Sequence, residues 1–250
     1  MITTLRKDRC MRVIVVLAML LIGFGLVVYY RSSRNERPFI VVSIESINLD
    51  GESRSYRLTV PASRPDAPLP IVVALHGIGD STESMAHYSQ LDRLAARGEC
   101  YVVYPEAYKA MWNVVGISPE NLAQNRDLRF IDELLARLRN QLDIDGVYLI
   151  GMSNGATFAQ ALLFTRTDID AVVAHSGSKP KGLEPSDNAS PILLIVGAND
   201  PVIDAIRRDA ATYRAAGYSV QLIEAPHLGH QWSTPHNAQI EQFLLRRRQP

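Results

Sequence analysis

Gly151-Met152-Ser153-Asn154-Gly155 lies between two segments of different character. The run before it, Val147–Ile150, is short, apolar and rich in residues that favour β-strands. The run after it, Ala156–Leu163, reads as a helix. A strand that turns sharply into a helix at G-x-S-x-G is a nucleophile elbow. Glycines are needed there because a Cβ at either position would crowd the turn that exposes the serine hydroxyl.

A serine hydroxyl becomes a good nucleophile when a base removes its proton and a third group orients that base. After a nucleophile elbow, these partners follow along the chain, the acid first and the histidine last. Asp200 follows the apolar strand Ile192–Val196, and His230 follows the alternating strand Val220–Glu224. Parallel strands end at one edge of a sheet. We therefore expect Ser153, Asp200 and His230 to meet there as a catalytic triad.

Both partner assignments have an alternative. Asp200 could instead cap the helix predicted over residues 202–216, since aspartate is a favoured N-cap residue. His227 lies closer to the preceding strand than His230 does. Gly229, however, lets the backbone bend just before His230, which favours His230 over His227 as the base.

A second loop is a candidate for oxyanion binding. The apolar strand Ile71–Leu75 ends in His76-Gly77-Ile78-Gly79. An acyl-transfer enzyme of this type uses two backbone N–H donors, one after the nucleophile and one from such a loop. We expect Asn154 and Ile78 to supply these donors, and His76 to shape the loop. The alternative is a plain turn from a strand into a helix.

Seven stretches, taken in order, resemble one family of enzymes. They are Ser55-Tyr56-Arg57-Leu58-Thr59-Val60-Pro61, Pro70-Ile71-Val72-Val73-Ala74-Leu75-His76-Gly77, Tyr104-Pro105-Glu106, Trp112-Asn113, Val147–Ala156, Asp200-Pro201-Val202 and Gly229-His230-Gln231-Trp232. The chain is similar to α/β-hydrolases of the polyhydroxybutyrate depolymerase and feruloyl esterase type from about residue 45 onward. The resemblance implies a mostly parallel sheet with helices on both faces, a serine-histidine-aspartate triad, and carboxylic-ester hydrolysis without a cofactor.

The chain departs from that family in ways that bear on the substrate. Relatives often carry disulfides, but this domain has a single cysteine, Cys100. Ile78 stands where relatives often have glycine or cysteine. Only 29 residues separate Asp200 from His230, so a long substrate-binding insertion is missing. We therefore expect a small soluble ester rather than a polymer.

Two tryptophans are candidates for the substrate-binding wall. Trp232 lies two residues after His230, and Trp112 follows a strand that ends at the same edge of the predicted sheet. An aromatic face there could pack against the acyl or alcohol group. The alternative for Trp232 is that it braces the histidine loop, and the family resemblance makes a structural role the alternative for Trp112.

The chain divides into two parts. Residues 38–250 form one α/β catalytic domain, because short apolar strands alternate with helices along it. Strands are predicted near residues 55–60, 71–75, 101–104, 147–150, 171–175, 192–196 and 220–224. Residues 1–37 are separate: Val13–Tyr30 is an apolar run of 18 residues, close to the roughly 20 needed to span a bilayer.

The apolar run is predicted to be an uncleaved transmembrane anchor over about residues 13–30. Its end, Val27-Val28-Tyr29-Tyr30, offers no small-residue cleavage site, and tyrosines suit a membrane interface. Four basic residues precede the run and three follow it, a slight bias towards a cytoplasmic N-terminus. We expect a single-pass membrane protein with a periplasmic or extracellular catalytic domain; the alternative is secretion after cleavage.

Charge also separates the two parts. Residues 1–37 hold seven basic and two acidic residues, and the rest of the chain holds 19 basic and 24 acidic ones. An acidic domain without a basic stripe is a poor nucleic-acid binder, whereas basic flanks suit anionic lipid. No H-E-x-x-H or C-x-x-C pattern occurs, so neither a metal nor another cofactor is expected. Nothing in the sequence indicates an oligomeric state.

Three classes of function are compatible with this sequence. The first, which we favour, is a membrane-anchored serine esterase. The second is a peptidase, thioesterase or acyltransferase with the same triad, since fold and triad do not fix the acyl group. The third is a non-catalytic binding domain with a hydrolase fold. The ordered presence of Ser153, Asp200 and His230 argues against the third, because a scaffold needs none of them.

Overall fold

The computed structural model describes residues 26–28, 39–63, 66–186 and 190–245. The strands in these residues are β1 Leu26–Val28, β2 Ile40–Leu49, β3 Glu52–Pro61, β4 Leu69–Leu75, β5 Tyr101–Pro105, β6 Ile144–Met152, β7 Ala171–His175, β8 Ile192–Gly197 and β9 Val220–Ala225. The helices are α1 Thr82–Ser89, α2 Asp92–Ala96, α3 Arg126–Gln141, α4 Asn154–Thr165, α5 Ile203–Ala215 and α6 Asn237–Leu245. Short 3-10 helices cover Tyr108–Ala110, Pro119–Gln124 and Thr234–His236.

One sheet runs through the domain in the order β1-β2-β3-β5-β4-β6-β7-β8-β9. Strands β1, β2 and β3 pair antiparallel, as do β3 and β5. The remaining neighbours in the sheet all pair parallel, namely β5 with β4, β4 with β6, β6 with β7, β7 with β8 and β8 with β9. The mostly parallel sheet predicted from the sequence is therefore confirmed, and each of the seven predicted strands is present.

Helices cover both faces of the sheet, because the parallel strands are apolar on both sides. Buried residues of α3, α4 and α5 pack on one face together with Ile71 and Val73 of β4. Buried residues of α1, α2 and α6 pack on the other face together with Val72 and Ala74 of the same strand. The alternation along β4 thus divides the core into two layers.

The hairpin of β2 and β3 was not predicted in full, since β2 was missed. These two ten-residue strands pair along their whole length and turn at Asp50 and Gly51. Both turn residues have positive φ, 53° and 82°. Asp-Gly between alternating strands is a strong hairpin signal in a sequence.

The predicted transmembrane helix at about residues 13–30 lies mostly outside the described residues. Leu26–Val28, the part that is described, forms a strand that pairs antiparallel with Val42–Ile44 of β2. An edge strand offers unpaired N–H and C=O groups to such an addition. A helix through residues 26–28 is therefore wrong. Among the residues that the structure describes, no helix has the length and apolar character of a bilayer span.

Candidate active site

Ser153 lies in the sharp turn between β6 and α4. Its φ of 55° and ψ of −119° are rare for a residue with a side chain. A Cβ on Gly151 would come within 2.3 Å of the Gly155 carbonyl oxygen. A Cβ on Gly155 would come within 2.3 Å of the Leu75 carbonyl oxygen. The backbones touch at both glycines, so the turn has the crowding that the sequence predicted.

The structure brings the three predicted triad residues together. His230 Nε2 lies 2.8 Å from Ser153 Oγ. The other ring nitrogen, Nδ1, lies 3.1 Å and 3.0 Å from the two carboxylate oxygens of Asp200. An ionised carboxylate only accepts hydrogen bonds, so Nδ1 carries the proton and Nε2 is left to accept from the serine hydroxyl. His227 is exposed and takes no part in this chain of contacts.

Asp200 contacts the base, and it is not the N-cap residue of α5, which is Val202. Its side chain is fully buried, whereas that of His230 is 39% exposed. Besides contacting His230, Asp200 Oδ1 accepts a hydrogen bond from the Val202 backbone N–H at 3.0 Å. This bond closes a local turn before α5 and helps to hold the carboxylate in place. The alternative that Asp200 caps α5 is therefore wrong.

His175, at the end of β7, supports the loop that carries His230. Its Nε2 accepts a hydrogen bond from the Ser233 backbone N–H at 2.9 Å, and its ring stacks on Trp232 with centroids 4.9 Å apart. Burial lowers the pKa of His175 from 6.5 to about 3, and the nearby His236 and His230 act in the same direction against Asp200. The ring is therefore neutral at ordinary pH. The sequence feature that could have indicated this supporting role is the position of His175 at the end of the strand next to β6.

The two predicted oxyanion donors flank the nucleophile. Asn154 is the first residue of α4, so its N–H has no partner within the helix. A Cβ on Gly77 would lie 3.5 Å from Ser153 Cβ, which shows how closely the loop carrying Ile78 passes the serine. Within the described residues, neither the Ile78 N–H nor the Asn154 N–H has a hydrogen-bond acceptor in the protein.

His76 shapes that loop, as predicted. It is fully buried. Its Nε2 accepts a hydrogen bond from the Ala107 backbone N–H at 3.0 Å, and its Nδ1 lies 2.8 Å from the Gly77 carbonyl oxygen. Nδ1 must then be the protonated nitrogen that donates to Gly77. A ring with both nitrogens engaged by backbone is not available for proton transfer.

The two tryptophans do not lie where a substrate wall was predicted. Trp112 is completely buried and stacks on Phe158 of α4, with centroids 4.9 Å apart and planes 7° apart. Trp232 is partly buried, and its Nε1–H donates to Asn237 Oδ1 at 2.8 Å. It packs behind the histidine loop. Neither side chain lines the cleft at the serine, because both are turned into the core by neighbours distant in sequence.

An open cleft of about 540 Å³ lies over the nucleophile. Residues 77–80 form one wall, and Met152, Ser153 and His230 complete the lining. The Ile78 side chain is 63% exposed and is an apolar surface at this opening. Among the described residues, no group of three or more histidine, cysteine or acidic side chains is arranged to hold a metal ion.

Comparison with known sequences places the chain in a family. Residues 54–205 match a family model described as "Esterase PHB depolymerase". A curated protein of Nocardia uniformis subsp. tsuyamanensis, named "Putative esterase NocK", is 30% identical over 164 residues. The matched region is 61% of this chain and 46% of that protein, so the chain spans about half the length of this relative.

Solved structures share the fold. A ferulic acid esterase superposes with a TM-score of 0.66 at 21% identity, covering 83% of this chain and 98% of its own. An S-formylglutathione hydrolase (FrmB) from Staphylococcus aureus superposes with a TM-score of 0.63 at 15% identity, covering 88% and 97%. At these identities the likeness shows the fold alone, which is that of the α/β-hydrolases.

Proposed function

The chain belongs to the esterase family of the polyhydroxybutyrate depolymerases, and we propose that it hydrolyses carboxylic esters through an acyl-enzyme on Ser153. The observation that carries this proposal is the continuous contact from Ser153 Oγ through His230 to the buried Asp200, at 2.8 Å and 3.0 Å. Those distances suit a base that removes the serine proton and an acid that orients the base.

The first half of the reaction acylates the serine. As Ser153 Oγ bonds to the ester carbonyl carbon, its proton passes to His230 Nε2 and the carbonyl electron pair moves onto oxygen. The backbone N–H groups of Ile78 and Asn154 bind that oxyanion. When the carbonyl reforms, the bond to the alcohol oxygen breaks, and the alcohol leaves with the proton from His230. Asp200 stays ionised and stabilises the imidazolium.

The second half releases the acid. Water gives a proton to His230 Nε2 and attacks the acyl carbon, and the same two N–H groups bind the oxyanion. Collapse breaks the bond to Ser153 Oγ, which regains its proton from His230. No metal or organic cofactor is required by any of these steps.

We propose a small, soluble ester as the substrate. The cleft is open, and the 29-residue segment between Asp200 and His230 leaves little chain for a polymer-binding insertion. We also propose that the chain attaches to a membrane through the apolar residues that precede β1, residues 13–25. The support for this is their unbroken apolar character and the four basic residues before them.

The proposal is tested by activity and covalent labelling. We expect turnover of short p-nitrophenyl esters and labelling of Ser153 by a fluorophosphonate. A panel of aryl esters, hydroxyalkanoate oligomers, thioesters and peptides would then identify the acyl group and the acceptor. Labelling at another serine with Ser153 untouched would overturn the assignment. The absence of both turnover and labelling would indicate a non-catalytic binding domain.

A further inference from the structure

The segment of residues 106–113, here called the strap, is hydrogen-bonded to the loop that carries the Ile78 donor. Two of these bonds converge on His76. The Ala107 backbone N–H donates to His76 Nε2 at 3.0 Å, and the Trp112 indole N–H donates to the His76 carbonyl oxygen at 3.0 Å. A buried residue of the oxyanion loop is thus held by the strap from both its side chain and its backbone.

A third bond joins the strap to the far side of the same loop. The Gly79 backbone N–H donates to the Ala110 carbonyl oxygen at 2.9 Å. Lys109 and Ala110 both have positive φ, 51° and 54°. Two consecutive residues with side chains seldom adopt such angles unless their surroundings impose them. The backbone of the strap is therefore strained where it meets the loop.

Trp112 also contacts the second donor. Asn154 Oδ1 accepts a hydrogen bond from the Trp112 backbone N–H at 2.7 Å, and Asn154 Nδ2 donates to the Trp112 carbonyl oxygen at 3.2 Å. The side-chain amide of Asn154 therefore both accepts from and donates to the backbone of Trp112, as the facing residues of two paired strands do. Trp112 is bonded through its indole to the loop of one oxyanion donor and through its backbone to the residue that supplies the other.

Both ends of the strap are fixed to a buried ion pair. Arg54 Nη2 donates to Asp127 at 2.8 Å and to the Glu106 carbonyl oxygen at 3.1 Å. Asp127 also accepts a hydrogen bond from the Asn113 backbone N–H at 2.7 Å. Arg54 and Asp127 are 4% and 0% exposed. If the ends moved, this buried guanidinium and this buried carboxylate would each lose a hydrogen bond, which is unfavourable.

We propose that Trp112 is a positioning residue that fixes the two oxyanion donors relative to each other before substrate binds; this inference rests on the proposed esterase function. Donors held in place interact most strongly with the charge that develops on the carbonyl oxygen. Loss of their alignment weakens binding of the transition state and leaves binding of the neutral ester nearly unchanged. The effect therefore falls on kcat rather than on KM.

The test is Trp112→Phe, which keeps an aromatic ring against Phe158 and removes the indole N–H. We expect kcat for a p-nitrophenyl ester to fall about 10- to 100-fold, with KM changed by less than about twofold. Affinity for an alkyl trifluoromethyl ketone, whose adduct with Ser153 carries an oxyanion, should fall by the same factor as kcat. The pH profile should keep its shape, since His230 and Asp200 are not touched.

A matched control removes a comparable bond far from the cleft. The Tyr218 hydroxyl donates to the Ser186 carbonyl oxygen at 2.8 Å. Tyr218 is 4% exposed and lies just before β9, at the amino ends of the parallel strands, whereas the cleft lies at their carboxyl ends. Tyr218→Phe should lower the stability of the domain to a similar extent and leave kcat and inhibitor affinity at native values.

A second variant keeps the inference testable if Trp112→Phe does not fold. Asn154→Ala retains the backbone N–H of residue 154 and removes only the side-chain pair with Trp112, so the same fall in kcat is expected. Native kcat in an active, folded Asn154→Ala protein would overturn the inference alone, as would a loss confined to KM. A native chain with neither turnover nor labelling would instead overturn the proposed function, and the inference with it.

Discussion

The backbone N–H of Ser233 donates a hydrogen bond to Nε2 of His175 across 2.9 Å. The carbonyl oxygen of the same histidine accepts a hydrogen bond from the Ser153 backbone N–H at 2.8 Å. One residue of β7 therefore contacts both the turn of the nucleophile and the loop of the base. The acceptor role of Nε2 requires a neutral ring, which makes this contact sensitive to acid.

The stability of the domain should fall in mild acid because of His175. Burial lowers the pKa of this ring to about 3, against 6.5 for an ordinary histidine. Between these values the unfolded chain binds more protons than the folded one, so the free energy of unfolding decreases as pH falls from 6.5 towards 3. From pH 7 to pH 5 the expected loss from this group is about 2 kcal/mol.

Urea denaturation of the native chain and of His175→Gln at the two pH values measures this loss. A glutamine can accept the same N–H bond and does not titrate. The decrease in unfolding free energy between pH 7 and pH 5 should be smaller in the variant by about 2 kcal/mol. Equal decreases in the two proteins would show that His175 is not the group responsible.

Ser153→Ala should abolish ester turnover and fluorophosphonate labelling while the protein stays folded. Removing the nucleophile of a serine triad costs on the order of 10⁶ in kcat. Circular dichroism and thermal unfolding monitor the fold. Ser84→Ala, at an exposed serine of α1, is the control and should retain native turnover and labelling. Residual labelling of Ser153→Ala at the native rate would assign the nucleophile elsewhere.

Asp200→Asn should lower kcat by about 10⁴ with little change in structure. The amide has the shape of the carboxylate, but it can donate to His230 Nδ1 and so favours the wrong tautomer of the ring. Its oxygen can still accept from the Val202 N–H. The matched control is Asp204→Asn, since the Asp204 side chain is 74% exposed and pairs with Arg207. A larger loss for Asp204→Asn than for Asp200→Asn would identify a different orienting acid.

Trp232→Phe should reduce turnover of every ester in a panel by a similar, few-fold factor. The variant keeps an aromatic ring beside His175 and loses the hydrogen bond to Asn237, so it loosens the histidine loop and leaves the cleft lining intact. The measurement is kcat/KM for esters that differ in acyl and alcohol size. A changed ranking of substrates would instead place Trp232 in the substrate wall.

Removal of residues 1–37 should give a soluble, active domain, whereas the full chain should stay in the membrane fraction. The apolar run with basic flanks is the reason for this expectation. Added protease should degrade the domain in intact spheroplasts, and its protection would reverse the proposed orientation. Recovery of a mature N-terminus near residue 31 would replace the anchor with a cleaved signal.

Much of this fold was predictable because its central strands are buried on both faces. Strands such as β4 and β8 are continuous apolar runs, so they stand out locally. The triad was predictable for a related reason: each member follows a recognisable strand in a known order. Strand β2 was missed although Asp50-Gly51 signals its hairpin, because its half-buried residues do not form such a run.

The direction of a side chain was much harder to predict than its place at the sheet edge. Trp112 was predicted from its place after a strand to lie at the edge of the sheet that carries the site, and its backbone contacts Asn154 there, but its ring packs against Phe158 in the core. That direction is set by hydrogen bonds to Asn154 and His76, which are 42 and 36 positions away along the chain. Likewise, the role of His175 depends on Ser233, 58 positions away. No periodicity or spacing encodes such contacts.

The burial of Cys100 makes the rate of its chemical modification a measure of how often the domain opens. The thiol lies directly before β5 and is 0% exposed, and Cys10 is the other cysteine of the chain. A variant without residues 1–37 therefore contains one thiol, which a disulfide reagent reaches only in molecules that have opened around β5. Under native conditions, the rate of thiol modification therefore reports the local opening of the structure around β5.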